Sequence, residues 1–292
     1  MYKAKIVRKS ELLQLILLDN LYAQSGSERI IFQGGTALRW IYNGLRFSED
    51  LDFVTDLPGK DVENIVANTF KKTQMACIAQ FGPGQSELKN KSGRKQANKT
   101  FFIYRPQGQR ERIAVKLEFE FLKPDHIPQF QRFILRDLPL VAGLIKEGKL
   151  IIPYSSSIIL AETPDEILSD KIRALYERKY IKGRDIYDIW FINTQLKVSA
   201  NWRTVREKFE IYQTPFALNR EINYFQQRKN TVNIVDALKN DLPRFLPQNV
   251  ISIHQEKNFK DFIANVKEVT SHLLSQGIKE YLKKHERGKI NS

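Results

Sequence analysis

GGTALRWIYNGLRFSEDLDF, residues 34–53, follows a short apolar run at Arg29–Phe32 and holds a glycine pair, a helix-length spacer and two aspartates one residue apart. Arg29–Phe32 reads as a strand ended by Gly34 and Gly35, Thr36–Tyr42 as a helix stopped by Gly44, and Arg46–Val54 as the next strand. Successive side chains of a strand point to opposite faces, so Asp50 and Asp52 share one face while Leu51 and Phe53 share the other. Paired carboxylates on a rigid strand suit Mg²⁺, a hard cation that takes oxygen ligands together with phosphate oxygens. Glycines beside them let main chain approach a phosphate closely. The pattern implies metal-assisted chemistry on a nucleotide.

Outward from this stretch, TDLPG closes the aspartate strand and Asp61–Lys72 follows as a helix. Ala76–Phe81 and Thr100–Tyr104 read as strands flanking the polar segment GPGQSELKNKSGRKQANK, an exposed basic loop carrying Lys89, Lys91, Arg94, Lys95 and Lys99. Arg112–Phe121 alternates, with Lys116, Glu118 and Glu120 on one face and Val115, Leu117, Phe119 and Phe121 on the other. Beyond Pro164 the chain reads as helical, apart from turns around Pro215, Pro243 and Pro247. The expected architecture is α+β: a domain with a mixed sheet over residues 1–158, then a mainly helical domain over 159–292, with the boundary near Tyr154–Thr163.

The 292 residues carry a net charge of +14, which favours polyanions and makes nucleic acid the leading partner class. Cys77 is the only cysteine, so an intrachain disulfide and a cysteine-rich zinc site are both excluded, and a reducing cytoplasm is the expected location. The opening MYKAKIVRKSELLQLILLDNL is interrupted by Ser10, Glu11, Gln14, Asp19 and Asn20, and reads as an amphipathic helix capped by Ser10 rather than as a signal peptide. No stretch is long and apolar enough to span a bilayer, so no membrane partner is expected. His126, His254, His272 and His285 lack metal-ligand spacing, and neither a Walker-type loop nor a GxSxG motif is present. Trp40, Trp190 and Trp202 sit among aliphatic residues and read as core.

A second motif lies in ETPDEILSDKIRALYERKYIKGRDIYDIWFI, Glu162 to Ile192. Thr163, Pro164 and Glu166 have the pattern of a capping box with proline at the first helical position. Ile167, Lys171, Ala174 and Arg178 then line one helix face, Gly183 stops that helix, and Arg184-Asp185 opens another with Asp188 a turn beyond. Tyr176, Tyr180 and Tyr187 surround this motif and read as packing residues, with stacking on a base the alternative.

GGTALRWIYNGLRFSEDLDF resembles the signature of the abortive-infection nucleotidyltransferase toxins of the AbiEii/AbiGii type, a branch of the DNA polymerase β-like nucleotidyltransferase superfamily. The coupling of Gly-Gly-Thr to Asp-x-Asp at this spacing, and the string RFSEDLDF at Arg46–Phe53, carry the likeness. It implies a transferase that moves a nucleoside monophosphate from an NTP to an acceptor hydroxyl with Mg²⁺ or Mn²⁺, and a separately encoded antitoxin. By the resemblance Asp50 and Asp52 are metal ligands, and Gly34, Gly35, Thr36, Arg46 and Ser48 lie against the nucleotide. A third carboxylate is implied on a neighbouring strand: Glu118, since KLEF is similar to the family's Lys-Leu-Asp-Ile string, with Glu120 the alternative. The second motif resembles the family's Lys…Arg-Asp-x-x-Asp pattern, which implies that Lys171 and Arg184 contact phosphates, that Asp185 completes the catalytic set and that Asp188 supports it. Basic charge together with the resemblance makes RNA, and tRNA 3′ ends in particular, the expected acceptor. Two alternatives differ in class: a nucleic-acid-binding module without turnover, and a transferase acting on small molecules.

Overall fold

A computed structural model of the chain describes residues 4–91, 97–153 and 157–287, which fall into two compact units, one within Lys3–Glu162 and one within Thr163–Ser292. The first unit is built on a mixed sheet of seven strands: β1 (Ile30–Gln33), β2 (Asp50–Thr55), β3 (Gly84–Lys91), β4 (Ala97–Pro106), β5 (Ile113–Phe121), β6 (Phe130–Ile134) and β7 (Ile158–Glu162), in the order β3-β4-β5-β2-β1-β7-β6. β2 runs parallel to β5 and antiparallel to β1, and β7 runs parallel to β1. Helices α1 (Ala4–Tyr22), α2 (Gly34–Trp40), α3 (Gly59–Phe81) and α4 (Pro139–Lys146) complete this unit. The second unit holds α5 (Pro164–Glu177), α6 (Gly183–Trp190), α7 (Trp202–Glu210), α8 (Thr231–Asp241), α9 (Gln248–Glu256), α10 (Lys260–Gln276) and α11 (Ile278–Arg287). The α+β class expected from the sequence holds.

Register across the centre of the sheet is set by aromatic packing. Phe32, Phe53 and Phe119 pair side by side on β1, β2 and β5, with ring centroids 5.5 and 5.0 Å apart, and all three are fully buried. Because the side-chain period is two, burying these rings on one face puts Asp50, Asp52, Lys116 and Glu118 on the other; a one-residue slip would exchange the two sets. The burial of β5 alternates accordingly along most of its length. Against the sheet lies α1, whose Leu13, Leu15, Ile16, Leu17, Leu18 and Leu21 are all within 1% of complete burial.

Several expectations need correction. The opening helix is buried on more than one face and begins before Ser10, so Ser10 is an interior residue and not its cap. Ala76–Phe81 is not a strand but the last turns of α3. Val62, Ile65, Val66, Thr69, Thr73 and Cys77 are buried at helical spacing, and this long period carries the helix through the short apolar run until Gly82 (φ 83°) ends it. The aspartate strand starts at Asp50 rather than Arg46, because residues 46–49 form an irregular segment in which Arg46, Phe47 and Ser48 are buried and Glu49 is exposed. Most of the polar segment taken as a loop is strand: β3 and β4 pair from Gly84↔Pro106 to Lys91↔Lys99. Arg94 and Lys95 lie outside the described residues.

In the second unit the capping box is not formed. Thr163 precedes α5 without a side-chain cap bond, and Glu166 turns instead to Lys208. The fully buried Lys208 ammonium sits 3.1 Å from Glu166 and 2.8 Å from Asp170, and the Tyr212 hydroxyl donates to Asp170 at 2.6 Å. Buried charge is tolerated where it is paired and hydrogen-bonded. Gly183 does not stop α5, which ends at Glu177. It begins α6, where its Cα packs directly on the α8 main chain at Ala237 and Leu238. A Cβ there would meet the Leu238 Cα at 2.7 Å, with backbone as the obstacle. Gly183→Ala is therefore expected to destabilise the chain by about 1–3 kcal/mol, the usual cost of overpacking, despite the better helix propensity of alanine. Chemical denaturation checks this; equal or greater stability would show that α6 and α8 separate freely.

Candidate active site

The parallel pairing of β2 with β5 sets Asp50 beside Lys116 and Asp52 beside Glu118 on the polar face. The Lys116 ammonium bridges the strands, 2.7 Å from Asp50 and 2.9 Å from Glu118, and Lys99 of β4 reaches the other Glu118 oxygen at 2.5 Å. Burial alone would lower the Lys116 pKa, but the two carboxylates outweigh it and hold the lysine charged. Burial alone would raise the Glu118 pKa; Lys99 and Lys116 outweigh it and keep the carboxyl ionised below its ordinary range. Glu120 lies further along, beside Val54, so the register favours Glu118 as the neighbour of the aspartates. Lys99, read as part of a free basic loop, is bound into this group.

The glycine pair packs directly on this group. Gly34 has φ 77°, a left-handed conformation suited to glycine, and a Cβ on it would lie 2.9 Å from the Asp52 carboxylate. Gly35 lies under the buried Arg46 guanidinium and Ser48, where a side chain has no space. Thr36 donates its hydroxyl hydrogen to the Asp50 main-chain oxygen. Arg46 donates to the Phe47 carbonyl at 2.9 Å, and Gln14 of α1 donates to the Ser48 carbonyl at 2.6 Å while accepting from the Trp40 indole at 3.2 Å. Arg46, Ser48 and Thr36 thus shape the segment that delivers Asp50. Gln14, a polar interruption of an apolar helix with no spacing signal of its own, ties α1 and α2 to that segment.

The side chains fit a divalent metal in donor chemistry: Asp50, Asp52 and Glu118 are hard oxygen donors, and a cation already sits between two of them in the form of Lys116. Among the described residues no three His, Cys, Asp or Glu side chains converge into a ready cage. Mg²⁺ is commonly held by one or two carboxylates, with water and substrate phosphates filling its octahedron, so a complete protein cage is not required.

The second motif converges by itself in the helical unit. Lys171 of α5 and Asp185 of α6, 14 residues apart in sequence, meet at 3.3 Å, and Lys171 reaches Asp188 at 2.9 Å. Arg178 pairs with the second Asp185 oxygen, a role the sequence reading did not assign. Burial would raise the Asp185 pKa, yet Arg178, Lys171, Arg184 and Lys182 outweigh it and hold the carboxyl ionised far below its usual range. Arg184 stacks over Phe245 at 5.2 Å while its main-chain N–H donates to Asp241 at 3.3 Å. Burial, with Arg178 and Arg184 adding repulsion, pushes the Lys182 ammonium down to about 8. Four cations around two aspartates leave a surplus of positive charge suited to phosphate.

Lys116→Met would leave Asp50 and Glu118 without their shared cation. The expected outcome is a loss of about 1–3 kcal/mol at low ionic strength, recovered when Mg²⁺ is added. Thermal melts with and without the ion check this; a variant as stable as its parent and indifferent to Mg²⁺ refutes it.

Comparison with known proteins bears on the family and the fold. No curated protein matches the chain. The crystal structure of JHP933 from Helicobacter pylori aligns over 100% of both chains at 15% identity and a TM-score of 0.51. A candidate nucleotidyltransferase from H. pylori aligns over 94% of this chain and 98% of its own at 16% identity and a TM-score of 0.52. At such identities these likenesses show the fold. The family described as "Nucleotidyl transferase AbiEii toxin, Type IV TA system" matches residues 16–284, nearly the whole chain, and the protein belongs to this nucleotidyltransferase toxin family.

Proposed function

We propose that the enzyme transfers a nucleoside monophosphate from an NTP to a hydroxyl of RNA, with tRNA 3′ ends as the favoured acceptor, and that a cognate antitoxin restrains it in the cytoplasm. The observation that carries this reading is the placement of Asp50 and Asp52 on one face of β2, with the Gly34 main chain against the Asp52 carboxylate. Mg²⁺ or Mn²⁺, when bound, supplies the charge neutralisation that phosphoryl transfer needs at the α-phosphorus and the departing pyrophosphate. Asp50 and Asp52 are the residues to hold it, with Glu118 as third carboxylate. The acceptor oxygen bonds to the α-phosphorus, the bond to the β-phosphate bridging oxygen breaks, and the acceptor proton leaves to solvent or to a carboxylate. Glu118, ionised and fixed by Lys99 and Lys116, serves to orient the hydroxyl, being too acidic for a strong base. Gly34, Gly35 and Thr36 bring main chain to the nucleotide, and Arg46 and Ser48 fix that segment's shape. Lys171 and Arg184 are assigned to phosphate contact, Asp185 to holding Lys171 in place with Asp188 behind it. The net charge of +14 supports a polyanionic acceptor over a small molecule, and its affinity should fall with salt.

Incubating the protein with each labelled NTP and total RNA tests this reading. Label should enter RNA, and Asp52→Asn should lower the rate by on the order of a hundredfold or more while leaving RNA binding intact. Absence of transfer from any NTP, or full activity in Asp52→Asn, removes the proposal. A pH dependence follows from Lys182. It is charged below about 8, and a bound triphosphate favours its charged form, so NTP affinity should fall as pH rises through that value. In Lys182→Met the step should vanish and affinity at neutral pH should be lower; a step of unchanged size assigns the titration elsewhere.

A further inference from the structure

Beside the Lys171–Asp185 group, the helical unit holds a cavity of about 450 Å³ that none of the residues assigned above lines. Its walls come from the loop after α5, from the turn at residues 219–221, and from α8. Two of its features are not used up by the fold. Tyr180 is 83% exposed, more than any other large hydrophobic side chain among the described residues, although aromatic residues usually bury. Arg220 is only 9% exposed and forms no ion pair among the described residues. One guanidinium nitrogen donates to the Arg178 carbonyl at 3.0 Å, the group stacks over the Tyr224 ring at 5.3 Å, and Nη1 is buried with no hydrogen-bond partner. A desolvated, unpaired cation is costly and favours an anion nearby.

Other polar groups converge on the same cavity. Lys179 adds a second positive charge at the mouth, and Asn233 donates to the Tyr224 hydroxyl at 3.2 Å, which fixes a polar edge on the α8 side. Nearby, Asn219 donates to the Glu177 carbonyl at 2.6 Å and so holds the end of α5, from which the Lys179–Tyr180 loop departs. An open aromatic face, a polar edge and unpaired cations are the elements that recognise a base and its phosphate together.

We propose that this cavity binds one nucleotide, with its base on Tyr180 and its phosphate toward Lys179 and Arg220, and that the nucleotide belongs to the acceptor strand. The inference rests on the nucleotidyl-transfer reading and adds to it a site for acceptor recognition apart from the carboxylate and Lys171 groups. Stacking and charge of this kind are tolerant of sequence, so the cavity selects single-stranded polynucleotide rather than a particular base.

The test measures binding, not turnover, in an Asp50→Asn background. A short labelled single-stranded RNA and, separately, each NTP are titrated into that protein and into versions carrying Tyr180→Ala or Lys179→Ala. Both side chains are exposed, so folding is expected to be unaffected, and melting curves verify it. Tyr180→Ala should weaken RNA binding about tenfold, the size of one lost base–aromatic stack, with NTP affinity unchanged. Lys179→Ala should weaken RNA binding and flatten its salt dependence. Loss of NTP affinity with RNA binding intact would place the donor's base here and overturn the assignment to the acceptor. Unchanged affinity for both ligands overturns the site altogether. The transfer assay with Asp52→Asn reads the catalytic proposal independently, so either can fail alone.

Discussion

The pairing of β2 with β5 fixes the arrangement of the candidate site. Parallel hydrogen bonding sets Asp50 beside Lys116 and Asp52 beside Glu118, while the stacked rings of Phe32, Phe53 and Phe119 lock the register from the opposite face. The aromatic stack has no chemical role, yet it decides which side chains face outward. Hydrophobic burial and carboxylate placement are therefore coupled through a period of two, and neither can shift by a residue without the other. Lys116 and Lys99 complete the arrangement by neutralising carboxylates that would otherwise repel one another.

How much of this was legible in the sequence depended on range. The Asp50/Asp52 alternation, the Gly34–Gly35 break and the polar face of β5 are local patterns, and each stands where local reasoning puts it. Local reasoning failed where a longer period competed with it. Ala76–Phe81 is a short, mostly apolar run that reads locally as a strand, but the buried positions from Val62 to Cys77 continue a helix through it. It also failed where a side chain had a distant partner. Glu166 has the spacing of a capping residue, but Lys208, 42 positions further on, draws it away. No spacing rule signals that partner, nor the reach of Arg178 back to Asp185.

The two units solve the same electrostatic problem with opposite signs. In the sheet unit, carboxylates are gathered, and lysines from adjacent strands pair with them and hold Glu118 ionised. In the helical unit, aspartates are gathered among a larger number of cations, and Asp185 is the acid that keeps Lys171 and Arg178 in place. Lys116, Glu118 and Asp185 are kept charged by their neighbours against the cost of burial, and those ion pairs orient the side chains before any ligand arrives. The glycines contribute in a similar way. Gly34 and Gly183 matter for what they leave out, since a methyl group at either would separate main chain from the partner it touches.

Cys77 sits on the buried side of α3, and burial pushes its thiol up to about 12. At neutral pH it is neither ionised nor reachable, so alkylating reagents are met by an inert group while the helix stays packed. It is also the only thiol in the chain. The rate at which it becomes modified is therefore a single-site clock for the opening of α3. Slowing of that clock by nucleotide or by a bound antitoxin would report, without any engineered label, how firmly each ligand clamps the helix.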